Sequence, residues 1–296
     1  MGSSVKLQRG PPPAAGVRPA PPPFVPRSLR ITGGGRYRRR LIWWDVIDLY
    51  EIPYSPWSEK ARWALDHHGI AYRRVRHIVG LAVPRLRLRT RRLLGPATLP
   101  TIIDAGEVVM DSWNIALHAD RIGGSAALIP HHIRAEVERW NAEAEQALGA
   151  GRALLMGRWL EWGKQGRSVD DGGWAGSASL LRIRARIVLA RYGGGKSPEE
   201  QRRCFLEFLD RLRERLPGDR YLLGQFSYAD IAAAAPLQFI APVGDEYIPL
   251  TDSQRLLWTD AELSRAAGPL LQWRDSLYQR HRAIPHEAKP RQGGRK

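Results

Sequence analysis

One cysteine stands in the whole chain, so Cys204 can form no internal disulfide and no cysteine-built metal site. Acidic residues are missing from residues 1–40, where Lys6 and eight arginines have no counter-charge. No apolar run is long. The best, Ile231 to Val243, is broken by Pro236 and Pro242 and falls short of the roughly 20 residues that cross a bilayer, so no membrane span is expected. A phosphate-cradling glycine loop, a nucleophile elbow and a dinucleotide fingerprint are all lacking. The histidine pairs His67-His68 and His131-His132 would point about 100° apart on a helix, and no His/Cys/Asp set has ligand spacing, so no metal is expected. Lys6 stands where a myristoylation signal needs Ser or Thr, and no apolar segment follows, which argues against a lipid anchor or a secretory leader.

What is present is a surplus of positive charge, +16 over 296 residues. Its placement matters more than its size. Residues 1–40 hold nine of these charges and residues 285–296 a net three, which leaves four for everything between. So mildly basic a middle does not favour nucleic acid as a partner. Both ends combine proline or glycine with charge of one sign, and we expect residues 1–44 and 285–296 to be disordered. The arginine-rich, acid-free start resembles an organelle-targeting peptide, but Pro11-Pro12-Pro13 and Pro21-Pro22-Pro23 oppose the helix such peptides form. The lone cysteine fits a reducing compartment, so a cytoplasmic protein is expected, with organelle targeting by residues 1–40 left open.

The rest is arranged around Tyr54-Ser55-Pro56-Trp57-Ser58-Glu59-Lys60-Ala61-Arg62. An apolar, β-rich run from Val46 to Tyr50 precedes it. A helical pattern from Trp57 to His68 follows, with Ala61, Ala64 and Leu65 at helical spacing. Ser55 therefore falls at a strand-to-helix junction, where free backbone N–H groups and the helix dipole favour an anion. Ala71 to Val79 alternates like a strand, with Tyr72, Val75 and Ile78 inward, and Val83 to Leu94 is basic and poorly periodic. Leu99-Pro100 then opens a strand from Thr101, Gly106 marks a turn, Val108 to Met110 a strand, and Asp111-Ser112 the start of a helix to Ile122.

The run Ser55 to Arg62, Leu99-Pro100 before a strand, Asp111-Ser112-Trp113-Asn114-Ile115, and Phe226-Ser227-Tyr228-Ala229-Asp230-Ile231 occur in an order that resembles the glutathione transferases over roughly Asp45 to Ile284. The resemblance implies an α/β thioredoxin-like N-terminal domain (residues 45–122) followed by an all-α C-terminal domain (residues 131–284). It implies glutathione as co-substrate, an electrophilic small molecule as its partner in a detoxifying conjugation, and a homodimer. Ser55-Pro56-Trp57-Ser58 takes the place of the thioredoxin Cys-x-x-Cys, and serine at both ends excludes thiol–disulfide exchange by the protein itself. Ser55 would be the catalytic residue, donating a hydrogen bond to the bound thiolate, with Ser58 one turn on as runner-up. Tyr54 is expected to point to the opposite side. Leu99 and a cis Pro100 would meet the peptide backbone of glutathione, Ser112 its γ-glutamyl carboxylate and Asp111 its ammonium, although the family more often has Glu or Gln there. Arg87, or Arg85 or Arg89, would meet the glycine carboxylate. The second substrate would lie against Trp57, Trp113 and Trp140. Taken without the resemblance, Ser55, Asp111 and Ser112 could be helix caps only, and the fold also permits a binding or scaffold protein without turnover.

From His131 onward the pattern is helical. Ile133, Val137, Trp140 and Ala144 share a face that Leu148, Leu155 and Trp159 continue, and Lys164 to Gly176 reads as a loop. Leu180, Ile183 and Ile187 form the apolar face of a further helix, with Arg182, Arg184, Arg186 and Arg191 outward. Ser197-Pro198-Glu199-Glu200 is a helix start, followed by Phe205, Leu209, Leu212 and Leu216 on one side, with Cys204 an inert, partly buried thiol among them. Ser227-x-x-Asp230 opens a small-residue helix that can be buried all round, and Leu270, Trp273 and Leu277 mark the last helix.

Overall fold

A computed structural model describes residues 46–77, 87, 98–170, 175–216, 218 and 220–282. The expectations for both tails, for Ile78 and for Arg85 and Arg89 lie outside these residues. The chain begins with strand β1 (Ile47–Glu51), helix α1 (Pro56–His67) and strand β2 (Tyr72–Arg76), which returns parallel to β1 with Tyr50 beside Val75. Strand β3 (Thr101–Asp104) pairs antiparallel with β1, Leu49 opposite Ile102, and β4 (Glu107–Met110) pairs antiparallel with β3. The sheet order is β2-β1-β3-β4, and α2 (Ser112–Ile122) completes the thioredoxin-like βαβ–ββα unit. The Leu99–Pro100 peptide bond is cis. The β3–β4 turn places both Ala105 and Gly106 at positive φ, and glycine meets that demand at the second position without strain.

The helical part is built on α3 (Arg134–Lys164). Val137, Trp140, Ala144, Leu148, Leu155 and Trp159 recur at spacings of three, four or seven along it and are buried, as that spacing predicts. Gly151 lets a neighbouring segment come close, since a Cβ there would sit 2.4 Å from the Phe239 ring. A short hairpin, β5 (Val169–Asp170) with β6 (Ala175–Gly176), lies where a loop is expected. There follow α4 (Ala178–Tyr192), α5 (Pro198–Arg215), α6 (Tyr228–Ala234), a 3₁₀ turn (Ala235–Phe239), α7 (Asp252–Trp258), α8 (Ala261–Ala266) and α9 (Gly268–His281). Ser197 and Glu200 form the capping box that the sequence announces. On α4 the apolar face differs from the expected one. Leu181 and Ala185 are buried, with Val188 and Leu189 beside them, whereas Ile183 and Ile187 are exposed.

Every residue of α6 is buried, so its first turn must find partners inside the protein. The Tyr228 N–H donates to the Leu128 carbonyl at 2.8 Å, and the Asp230 carboxylate reaches back over the helix start, accepting from the Leu222 N–H at 2.8 Å, the Ser227 N–H at 2.9 Å and the Ser227 hydroxyl at 3.1 Å. Burial nevertheless pushes Asp230 up to about 6 against those donors. A carboxyl raised in the folded state binds a proton that the unfolded chain has released. Its stabilising contribution is therefore complete below about pH 4 and lost as pH rises through about 6. Urea denaturation across that window is expected to show stability falling by at most about 1.4 kcal/mol per pH unit from this group, a slope absent in Asp230→Asn. Identical slopes in the two proteins would contradict the assignment.

Helix α1 carries more buried charge than its amphipathic pattern suggests. Glu59, Lys60 and Arg62 are all buried, and Glu51 at the end of β1 lies beside them. The Arg62 guanidinium joins Glu51, Glu59 (Nε to Oε2 2.9 Å) and the Pro53 carbonyl. Arg282, just beyond α9, adds its Nε to Glu59 at 2.7 Å and pairs with Asp66. The end of the helical part is thereby fastened to the first helix of the thioredoxin-like unit.

Candidate functional site

Pro56 at the first position of α1 supplies a preset φ and needs no hydrogen-bond acceptor, which leaves Ser55 as the N-cap. The Ser55 backbone is fully used: its N–H donates to the Ile52 carbonyl at 3.0 Å and its carbonyl accepts from Glu59 N–H at 2.9 Å. The hydroxyl is not. It makes no cap bond to the helix and no other hydrogen bond among the described residues, and the residue lies on the wall of a cavity of about 490 Å³. Ser58, by contrast, is buried and accepts the Ile52 N–H at 3.2 Å, and it does not line the cavity. Tyr54 corrects an expectation. The period of two ends with β1 at Glu51, a turn follows, and Tyr54 comes round to the same cavity as Ser55, its ring edge-on to Trp258 at 5.9 Å.

The same wall continues through Thr98, Leu99 and Asp111. The Leu99 N–H and C=O make no hydrogen bond among the described residues, while Pro100 accepts the Asp111 N–H at 3.1 Å. Asp111 stands at φ 78°, strained for a residue with a side chain, and caps α2 by accepting the Trp113 N–H at 2.8 Å. Ser112 is fully buried at the start of α2 and is not part of the cavity lining; its hydroxyl interacts with the buried Tyr228 hydroxyl but makes no hydrogen bond of good geometry among the described residues. Of Arg87 the structure gives a helical backbone and a half-buried side chain.

Across the cavity stand α3, α4 and the segment before α8. The second-substrate residues divide here. Trp57 lines the cavity; Trp113 does not and packs edge-on against Tyr228 at 5.6 Å; Trp140 is buried in the core. Trp159, Phe239, Trp258 and Tyr192 take the aromatic positions instead. Glu145 of α3 holds the two halves in register, accepting from the Trp57 Nε1–H at 2.6 Å and from Lys60 Nζ at 2.6 Å. Lys60, its side chain fully buried, also donates to Asn141 at 2.8 Å. Arg152, two turns further along the same face of α3, lies over the Trp57 ring at 4.7 Å and over the Tyr192 ring at 4.4 Å. Glu145, Arg152 and Trp258 escaped the sequence reading because no local motif surrounds them. Lys60, inside the family-like run, was the one available signal.

The fold is a thioredoxin-like unit whose first helix opens on a cavity shared with a helical bundle. The profile of the glutathione S-transferase N-terminal domain matches residues 49–125, and that of the C-terminal domain matches residues 189–276. The chain belongs to the glutathione S-transferase family. Similar in fold is a glutathione S-transferase of Ceriporiopsis subvermispora solved in complex with glutathione, at TM-score 0.55 and 19% identity over 81% of this chain and 99% of that one. So is one from Methylobacillus flagellatus with glutathione bound, at TM-score 0.50 and 22% identity over 79% and 95%. A third, from Methylobacterium radiotolerans in complex with glutathione sulfonate, gives TM-score 0.50 and 19% identity over 81% and 94%. No curated protein matches the chain in sequence.

Proposed function

We propose that this chain conjugates glutathione to an electrophilic small molecule, with Ser55 holding the thiolate. The observation that carries the reading is the Ser55 hydroxyl, placed at a helix N-terminus on the cavity wall and engaged by nothing among the described residues. A hydroxyl there that does not cap its helix is available to donate to an anion, and the α1 dipole favours the same charge. The Leu99 backbone groups, without a hydrogen bond among the described residues, suit the peptide of glutathione, the Ser112 hydroxyl beside Tyr228 at the start of α2 suits its γ-glutamyl carboxylate, and Asp111 on the cavity wall suits its ammonium. Arg87 keeps the glycine carboxylate as its proposed partner. The electrophile would take the aromatic side, with Trp57 shared between both substrates. A homodimer in a reducing, cytoplasmic setting is the expected form, which sedimentation and cell fractionation read directly.

The test is retention on immobilised glutathione together with conjugation of 1-chloro-2,4-dinitrobenzene. Retention reversed by free glutathione, with conjugate formed, is the expected result. Retention without conjugate from any of several electrophile classes would replace the enzyme by a glutathione-binding protein. Ser112→Ala is expected to raise the KM for glutathione about thirtyfold, the worth of one hydrogen bond of about 2 kcal/mol to a charged group, while kcat moves far less. A KM unchanged by that substitution would remove Ser112 from the glutathione site.

A further inference from the structure

We propose that the second substrate is an organic acid, an electrophile whose aromatic or unsaturated skeleton carries a carboxylate, and that Arg152 receives that carboxylate. The proposal rests on the conjugation reading above and names the substrate class of the same site.

The two acids of the cavity wall are both occupied: Glu145 by Lys60 and Trp57, and Asp111 by the N-terminus of α2. Arginines from two helices, Arg152 of α3 with Arg184 and Arg191 of α4, face the same space. Of these, Arg191 is exposed, whereas Arg152 is held within the cavity between two rings. Its guanidinium lies over two aromatic rings, makes no hydrogen bond or ion pair among the described residues, and is half buried. Burial lowers its pKa from the ordinary value, while Tyr192 and Glu145 act the other way, and an arginine so placed remains charged at every physiological pH.

A cation drawn out of water normally takes a carboxylate from its own chain. Two ring faces offset part of the desolvation, but they accept none of the five N–H donors. Those donors form a planar fork that matches a carboxylate. The surroundings supply the rest of the specificity: Leu155, Met156, Trp159 and Phe239 are apolar surface for a hydrocarbon or aryl skeleton. Trp57 follows Ser55 by two residues, lines the same cavity and lies under Arg152, so an acid held by the guanidinium has its skeleton on the thiolate side of the cavity. For a chloronitroaryl acid the chemistry balances without a further reagent. The thiol proton passes to solvent, the sulfur–carbon bond forms at the ring carbon bearing chlorine, the carbon–chlorine bond breaks and chloride leaves.

The experiment compares 4-chloro-3-nitrobenzoate with its primary amide, which share a skeleton and leaving group but differ in charge. Each enzymic kcat/KM is divided by the uncatalysed rate constant with glutathione. The wild-type protein is expected to favour the acid about tenfold or more by this measure, and Arg152→Leu to reduce that preference to near unity. Arg152→Lys should fall between, since it keeps the charge and loses the fork. Binding of both compounds, followed by tryptophan quenching, should show the same preference and the same loss without requiring turnover. Equal handling of acid and amide by the wild type in both assays would overturn the proposal while leaving conjugation intact. A raised glutathione KM in Arg152→Leu with the acid-to-amide ratio unmoved would also overturn it, by assigning the arginine to glutathione. Selective binding of the acid with no conjugate formed would instead uphold the anion site and overturn the conjugation reading on which the substrate class depends.

Discussion

Arg282→Met is expected to lower the stability of the protein by about 4 kcal/mol and its Tm by about 10 °C. The Arg282 side chain has no exposed surface, and it bonds two carboxylates, the enclosed Glu59 and the partly exposed Asp66. Burial alone would raise Glu59, yet Arg282 first and Arg62 second hold its carboxyl below the usual carboxylate range. For Asp66 burial wins, and the carboxyl stays raised even with Arg282 beside it. Removing the guanidinium leaves Glu59 with Arg62 only and Asp66 with the Tyr72 hydroxyl at 3.3 Å. An uncompensated buried charge is what makes such a loss large. Arg73→Met is the control. Arg73 meets Asp48 at 2.7 Å, the same distance, but with its side chain 66% exposed, and an exposed pair contributes about 1 kcal/mol or less. The pH dependence separates a broken pair from lost packing. In Arg282→Met both carboxyls become harder to ionise in the fold, so the native state takes up protons that the unfolded chain does not. Its deficit against wild type should therefore be largest near pH 7 and shrink as pH falls toward 5. Equal denaturation midpoints for Arg282→Met and Arg73→Met would show that the enclosed network does not fasten the two parts together.

The thioredoxin-like order was legible because its signals are local. A β-rich run, a proline at a helix start, a Leu-Pro before a strand and an Asp-Ser after one each act within a few residues, and each falls where the structure has the corresponding element. The buried charges of α1 were not legible. Periodicity assigns Glu59 and Arg62 to the surface by type, and nothing short-range reveals that Arg282, 223 residues further on, will cover them. On α4 two apolar stripes compete at helical spacing, and only packing against α3 selects Leu181 and Ala185 over Ile183 and Ile187. The cavity follows the same division. Its Ser55 side could be read from one motif, whereas the opposite wall needs the meeting of Trp57 with Glu145, 88 residues apart. Trp113 and Trp140 were reasonable by residue type and fell elsewhere because each helix turns them to a different neighbour.

Ser55→Ala is expected to lower kcat about thirtyfold while the affinity for glutathione changes little. A free thiol of pKa about 8.5 is only a few per cent thiolate at pH 7, and lowering that by about 2 units makes the nucleophile the majority species. A hydrogen bond to a charged acceptor contributes about 2 kcal/mol, or about 1.5 pKa units, so one hydroxyl with a helix terminus behind it suffices. The bond forms fully once the proton has left, which places its effect on the thiol's ionisation and not on capture of the peptide. The thiolate absorbance of bound glutathione, titrated against pH, reads this directly, and Ser55→Ala should move the midpoint up by about 1.5 units. Two neighbours serve as comparisons because the structure separates their surroundings. Ser58→Ala removes an acceptor from the buried Ile52 N–H, so it should cost about 1 kcal/mol of stability and leave the titration where it was. Tyr54→Phe tests the one other hydroxyl of this motif that belongs to a cavity-lining residue. If the midpoint moves with Tyr54→Phe and not with Ser55→Ala, the thiolate is held by the tyrosine, and the free Ser55 hydroxyl is then a bystander at the helix start.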